Sequence, residues 1–129
     1  MPTTYDEVVQ MFHSMLMATR ELSDKLEMQY FLSALGEYEL TVGELGYDRD
    51  FRTFKNEQPY HVIYTLALMM YTRYLTQELS RTLKLNGISG KDIQLTGAAA
   101  SKQYTYAELQ AELNRVQELL YKQRQHCFN

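Results

Sequence analysis

Three histidines are the first residues to consider for metal chemistry, because imidazole nitrogen is a common ligand of zinc and other transition metals. His13, His61 and His126 lie in three different segments of the chain. None of them is followed three or four positions later by a second ligand, whereas metal sites usually draw at least two ligands from one local motif. The sequence therefore predicts no metal site.

Acidic side chains gather in one stretch, where carboxylates could serve in acid–base catalysis or bind Ca²⁺. Asp48, Asp50 and Glu57 belong to this stretch, but Arg49 and Arg52 stand between them. Charges of both signs in alternation are typical of a solvated loop rather than of a catalytic pair. We therefore expect these residues to lie in solvent.

Sequence motifs that carry catalysis are absent from the chain. It has no Gly-rich phosphate loop, HExxH, CxxC, EF-hand loop or GxSxG. Its single cysteine, Cys127, cannot form an internal disulfide and has no nearby His and Asp to activate it. We expect the protein not to be an enzyme, to use no cofactor and to have no catalytic, cofactor-binding or metal-binding residues.

Tyrosine is the unusual residue, with 11 copies and no tryptophan. Tyr60, Tyr64, Tyr71 and Tyr74 recur at helical spacing. Such a stripe could line a ligand pocket, but it more often packs its rings in a core and sends its hydroxyls to a wet rim or an interface. Packing and interface roles are the preferred interpretation.

The composition describes one globular domain spanning residues 1–129, since a chain of this length sustains one hydrophobic core. The net charge of −3 leaves no basic patch, so no sequence-specific binding of nucleic acid is expected. Residues 1–58 carry 11 acidic and 5 basic side chains, and residues 59–129 carry 5 and 8. This asymmetry predicts two poles of opposite sign, suited to head-to-tail association. The first seven residues lack the pattern of a signal peptide, which favours a cytoplasmic origin.

Local signals predict an all-α fold of about four helices. A capping box of Thr4 and Glu7 begins the first helix, and Ser23 begins a second that stops near Gly43. Pro59 suits the first turn of a third helix. We predict that this third helix, residues 60–85, is a long apolar helix at the centre of the bundle. Its uncharged run, residues 62–72, is too short to span a membrane.

The segments around these helices are less regular. Residues 43–58 read as a structured connection with Phe51 and Phe54 as core anchors. Residues 92–96 alternate as a short extended segment, and no second strand is predicted to pair with it. The last helix is predicted to begin at the Thr105 capping box, with Ser101 as an alternative start. Residues 121–129 are predicted to form a tail that projects beyond the fold.

The order of these segments resembles the small helical head–tail connector proteins, also called neck or adaptor proteins, of tailed bacteriophages and prophages. The resemblance covers nearly the full chain, although residues 43–58 match only in aromatic and acidic character. It rests on a pattern and not on a catalytic motif. The segments that carry it are TTYDEVVQMF, LSDKLEMQYFLSAL, YTLALMMYTRYLTQEL, KDIQLTG and AELQAELNRVQELLYKQRQ.

The resemblance implies a structural role in the virion. Subunits of such proteins form a dodecameric ring beneath the portal, extend the DNA channel and receive a stopper or tail protein. The implied partners are other copies of the chain, the portal and a stopper or tail protein, with no membrane. DNA would pass through the ring. The small net negative charge of the protein suits a channel wall that does not bind the phosphates of the DNA tightly. The implied location is the head–tail interface of a virion made in the bacterial cytoplasm.

Two groups of residues are predicted to contact other subunits. Ile93 and Leu95 belong to the unpaired extended segment, and Lys122, Arg124 and Phe128 combine charge with an aromatic anchor in the tail. The alternative function is a small helical protein-binding or regulatory module that docks a single partner. No residue of the sequence indicates a third class of function, an enzyme whose active site is assembled across subunits.

Overall fold

The computed structural model describes the backbone of residues 2–16, 22–85 and 97–127, and the side chains of residues 2–16, 22–81 and 106–124. These parts of the chain are mostly helical, as predicted. The helices are α1 Tyr5–Met15, α2 Asp24–Thr41, α3 Tyr60–Leu85 and α4 Gly97–Cys127. Two short strands, β1 Tyr47–Asp48 and β2 Thr53–Phe54, lie between α2 and α3. No helix in the described ranges is long and apolar enough to cross a membrane.

Local caps begin the first three helices at the predicted residues. The backbone N–H of Thr4 donates to the Glu7 carboxylate at 2.7 Å, which is one half of the predicted capping box. The hydroxyl of Ser23 accepts from the backbone N–H of Leu26 at 3.2 Å. The carbonyl of Pro59 accepts the first backbone hydrogen bond of α3, from Val62 at 3.0 Å. Each cap satisfies backbone groups that a helix end leaves unpaired.

Helix α3 packs against each of α1, α2 and α4. Its run of residues 65–72 is buried. Contacts of Glu37 with Arg73 and of Tyr30 with Gln77 show that α2 runs antiparallel to α3. Helix α4 is also antiparallel to α3. Helices α2 and α4 therefore end at the same end of the bundle at which α1 and α3 begin.

The connection between α2 and α3 is a β-hairpin, with Tyr47 opposite Phe54 and Asp48 opposite Thr53. The expectation that the chain holds no strands besides the 92–96 segment is therefore wrong. Strands of two residues are too short to show a period of two, so the residue pattern carries no strand signal here. Residues 92–96 themselves lie outside the described residues.

The hairpin is attached to the start of α1. The backbone N–H of Tyr5 donates to the carbonyl of Arg52 at 2.9 Å, and that of Phe54 donates to the carbonyl of Thr3 at 2.8 Å. The Arg52 guanidinium lies 5.6 Å from the centre of the Tyr5 ring. These contacts hold the hairpin in place through backbone groups as well as through its side chains.

An aromatic cluster joins the hairpin to α1 and α2. The ring of Phe31 lies 5.0 Å from that of Tyr5, 4.9 Å from that of Tyr47 and 6.2 Å from that of Phe54. Phe54 is buried, as predicted. Phe51 is 78% exposed, so its predicted role as a core anchor is wrong. The turn that precedes β2 directs Phe51 away from the cluster.

Helix α4 begins at Gly97, eight residues before the predicted start at Thr105 and four before the alternative start at Ser101. Residues 98–100 are alanines, the best helix formers, and they extend the helix through the predicted capping box. The helix also continues to Cys127, so the described part of the predicted tail is helical. Gln123 within it is buried. Residues 121–124 are therefore part of the bundle, and the prediction of a projecting tail fails for them.

Candidate interaction surfaces

The residues predicted as interfaces fall into two groups. Lys122 and Arg124 are exposed on the last turns of α4, on either side of the buried Gln123. The two residues are two positions apart, which is about 200° around a helix, so they face solvent on opposite flanks of α4. Ile93, Leu95 and Phe128 lie outside the described residues. The structure thus places two of the five predicted residues in solvent, on different sides of the same helix.

A buried chain of hydrogen bonds joins three helices beside these two residues. The hydroxyl of Tyr38 on α2 donates to Gln123 Oε1 on α4 at 2.5 Å. Gln123 Nε2 donates to the hydroxyl of Thr65 on α3 at 2.7 Å, and this hydroxyl donates to the carbonyl of His61 at 2.6 Å. This network was not predicted from the sequence. Its signal was that Gln123 follows Val116 and Leu120 at the spacing of the apolar seam.

A cleft of about 230 Å³ opens where α2 ends and α3 begins. We call it the α2–α3 cleft. Val42, Leu45 and Val62 give it apolar walls, and Glu44 and His61 line it as exposed residues. A small cleft with apolar walls and a few polar groups is the usual form of a binding site for a side chain or a small molecule.

The turn of the β-hairpin, residues 49–52, forms a second feature, which we call the hairpin tip. The Asp48 carboxylate accepts hydrogen bonds from the backbone N–H groups of Asp50 at 2.9 Å and Phe51 at 3.3 Å. Asp48 is thus occupied in a turn, as expected for a solvated loop. Arg52 has a φ of 55°, a left-handed conformation that ends the turn. The tip presents the exposed ring of Phe51 between Arg49 and Arg52.

The four tyrosines at helical spacing on α3 separate into a buried pair and a more exposed pair. Tyr71 and Tyr74 are buried with their rings stacked 6.2 Å apart. Burial and a 2.5 Å hydrogen bond to Glu108 raise the pKa of Tyr71. Tyr60 is 67% exposed and stacks on Tyr64 at 6.0 Å. The stripe thus contributes to both the core and the surface.

Some ionisable side chains in the described regions join neighbouring helices. Glu27 on α2 is buried and contacts the ring nitrogen of His13 on α1. The Arg73 guanidinium on α3 contacts the carboxylate of Glu37 on α2 and donates to Ser33 Oγ at 3.1 Å. Within the described ranges, no three His, Cys, Asp or Glu side chains gather where they could hold a metal ion. These contacts stabilise the bundle and do not form a catalytic constellation.

The structure corrects the predicted arrangement of charge. Residues of the acidic half, at 44–58, lie at the same end of the bundle as Lys122 and Arg124, since Tyr38 contacts Gln123 there. Helices α1 and α2 pack alongside α3 rather than beyond its end. For the side chains that the structure describes, the acidic and basic halves of the sequence are therefore side by side and do not form poles at opposite ends.

The chain was compared with protein-family models, with curated proteins and with solved structures, and no match was found in any of the three comparisons.

Proposed function

We propose that this protein is a structural subunit of a ring that joins the head of a tailed bacteriophage or prophage to its tail. In this proposal copies of the chain surround the DNA channel, bind the portal on one side and receive a stopper or tail protein on the other. The pattern of segments along the sequence supports it, and so does the mostly helical fold. Helix α3 would be the central apolar helix of each subunit.

The observation that carries the proposal is the distribution of large exposed apolar side chains. Leu40 is 91% exposed on α2, Phe51 is exposed at the hairpin tip, and Tyr106 and Tyr121 are exposed on α4. Tyr106 and Tyr121 are 15 residues apart, which is about 22 Å along a helix. Large apolar side chains in solvent often mark protein interfaces. Leu40, Phe51 and Tyr121 lie at the end of the bundle where α2 and α4 end, and Tyr106 lies apart from them along α4, so the subunit offers more than one candidate contact surface.

The function does not require catalysis by this chain, so the proposal includes that it is not an enzyme and needs no cofactor. The partners are other copies of the chain, the portal and a stopper or tail protein. Lys122 and Arg124 supply exposed positive charge next to Tyr121, and we assign them to the contact with the portal. Charge of this kind orients a partner, and a neighbouring aromatic ring anchors it.

Two measurements test the proposal. Native mass spectrometry of the purified protein over a wide concentration range should detect closed rings or head-to-tail intermediates. Labelling of tailed particles from the producing culture with an antibody against this chain should mark the junction of head and tail in electron micrographs. Assembly no larger than a two-fold dimer at every concentration, together with unlabelled particles, would overturn the proposal.

The alternative is a small helical protein-binding or regulatory module with a single partner. Such a module should concentrate its exposed apolar residues on one face, and it should remain a monomer or a dimer in the same native mass spectra. A double variant, Lys122→Glu with Arg124→Glu, provides a further distinction. In a connector this variant should still form the ring but should be recruited less to heads that contain the portal.

A further inference from the structure

We propose that the hairpin tip of one copy inserts Phe51 into the α2–α3 cleft of a neighbouring copy, and that this contact joins subunits head to tail. The inference rests on the proposed function, because it identifies the surfaces through which copies of the chain would associate. The shape, size and charge of the hairpin tip and of the cleft support the inference.

The hairpin tip has the properties of a preorganised anchor. Phe51 is 78% exposed, although Phe54 in the same hairpin is buried. The Asp48 carboxylate fixes the turn by accepting the backbone N–H of Phe51 itself. The carbonyl of Arg52 is held by Tyr5, so the far side of the turn is also fixed. An aromatic side chain on a rigid turn loses little conformational entropy when it binds.

The α2–α3 cleft is large enough for this ring. Its volume is about 230 Å³, and an apolar cavity of roughly 150 Å³ holds a benzene molecule. Val42, Leu45 and Val62 provide apolar walls. Burial of a phenyl ring against such walls removes apolar surface from water, which favours binding. The cleft therefore fits a single aromatic side chain better than it fits a helix or an extended peptide.

The charged groups around the two surfaces are complementary. Arg49 and Asp50 are exposed beside Phe51, and Glu44 and His61 are exposed at the cleft. Insertion of Phe51 would bring a guanidinium toward the carboxylate of Glu44. It would also bring a carboxylate toward the imidazole, which can donate an N–H in either tautomer. The partner of the cleft is thus a second copy of this chain.

The two surfaces are different patches at the same end of the bundle. The hairpin tip is attached to the first turn of α1, whereas the cleft includes Gln123 of α4. A contact between different patches of identical subunits is heterologous, and it generates a ring if the rotation between subunits closes. Phe51 and the cleft therefore supply the two halves of a repeating contact.

The test uses two complementary variants of the full chain. Phe51→Ala removes the anchor and keeps the cleft, and His61→Trp fills the mouth of the cleft and keeps the anchor. Both positions are exposed, and circular dichroism checks that both variants fold. We expect each variant alone to self-associate at least about tenfold more weakly than the unchanged protein. A mixture should form a one-to-one complex, because one variant offers a cleft and the other offers an anchor.

Charge reversal gives a second line of evidence. Arg49→Glu and Glu44→Arg should each weaken association, and the two changes in the same chain should restore it. Gln29→Ala, a change of an exposed residue on α2 that belongs to neither surface, should leave association between copies unchanged.

The outcomes separate this inference from the proposed function. If the unchanged protein forms rings and Phe51→Ala forms them with the same affinity, the inference is wrong and the proposed function stands. If the mixture of Phe51→Ala and His61→Trp forms no one-to-one complex although the unchanged protein assembles, the inference is also wrong. If the unchanged protein does not associate at any concentration, the inference is overturned together with the ring.

Discussion

Tyr38 and Gln123 are 85 residues apart in the sequence and are joined by a buried hydrogen bond of 2.5 Å. Gln123 also bonds to Thr65, so its amide links the ends of α2 and α4 to α3. A buried amide of this kind specifies a single arrangement of its neighbours, because any other arrangement leaves polar groups unsatisfied. The α2–α3 cleft, which Tyr38 and Gln123 line, therefore has a defined shape.

Replacement of Gln123 by Leu should destabilise the protein by about 1–3 kcal/mol, because the hydroxyls of Tyr38 and Thr65 each lose a buried hydrogen bond. Urea denaturation followed by circular dichroism measures this change. The matched control is Lys122→Leu, an exposed position on the same turn, which should shift the free energy of unfolding by less than about 0.5 kcal/mol. Equal effects at the two positions would contradict the assigned network. Truncation after Leu120 should destabilise the fold for the same reason, since it removes Gln123.

The two phenylalanines near the end of the hairpin should respond in opposite ways to truncation. Phe54→Ala should cost about 3 kcal/mol or more, because it empties a buried site in the aromatic cluster around Phe31. Phe51→Ala should change the stability of the monomer by less than about 0.5 kcal/mol, because its ring is exposed. Thermal unfolding at low protein concentration measures both. A large loss of monomer stability from Phe51→Ala would mean that its ring packs within its own subunit.

Stability should decrease at alkaline pH because of buried tyrosines. Burial raises the pKa of Tyr5 from its ordinary value of 10 to about 12, and burial also raises the pKa of Tyr47. The folded protein therefore keeps these protons to a higher pH than the unfolded chain does. The stabilisation is fully present below about pH 10 and is lost as the pH rises toward 12.

Urea denaturation between about pH 8 and pH 11 checks this dependence. Tyr5→Phe keeps the ring in the aromatic cluster and removes the titrating hydroxyl, so it should flatten the decline in stability. Tyr106→Phe, at an exposed position, should leave the profile unchanged. A profile that is identical for Tyr5→Phe and the unchanged protein would show that Tyr5 does not contribute to it.

The contact between Tyr71 on α3 and Glu108 on α4 should be measurable by a double-mutant cycle. Tyr71→Phe and Glu108→Gln each weaken a hydrogen bond of 2.5 Å that is assisted by charge. We expect a coupling energy of about 1 kcal/mol between them. Tyr64→Phe combined with Glu108→Gln serves as a control, because Tyr64 bonds to Arg115 instead. If the changes in the free energy of unfolding caused by Tyr71→Phe and Glu108→Gln simply add in the double variant, the contact is contradicted.

Features that depend on a few neighbouring residues could be predicted from the sequence. The caps at Thr4 and Ser23 act within three or four positions, and the predicted starts of α1 and α2 are confirmed. The bounds of α3 were also predicted, because Pro59 and the long uncharged run are local signals. The predicted start of α4 was wrong. Thr105 can act in a capping box only if the residues before it are not helical, and here they belong to the helix.

The candidate surfaces were harder to predict, since their members come together only in the folded chain. Phe51 and Phe54 have the same chemistry and differ by three positions, yet one ring is exposed and the other is buried. The sequence contains no signal for this difference. It arises because residues 3 and 4 pair with β2 and Arg52 takes a left-handed conformation, which together set the direction of each ring.

The sequence by itself determined the helical class and the starts of three helices. These follow from backbone hydrogen bonding and side-chain periodicity, which act over one or two turns. Only the tertiary structure decided that Gln123 is buried while Lys122 and Arg124 face solvent, and that the end of α2 and the start of α3 enclose a cleft. Such choices depend on the packing of helices far apart in the sequence, where a polar group is buried only if a partner from another helix satisfies it.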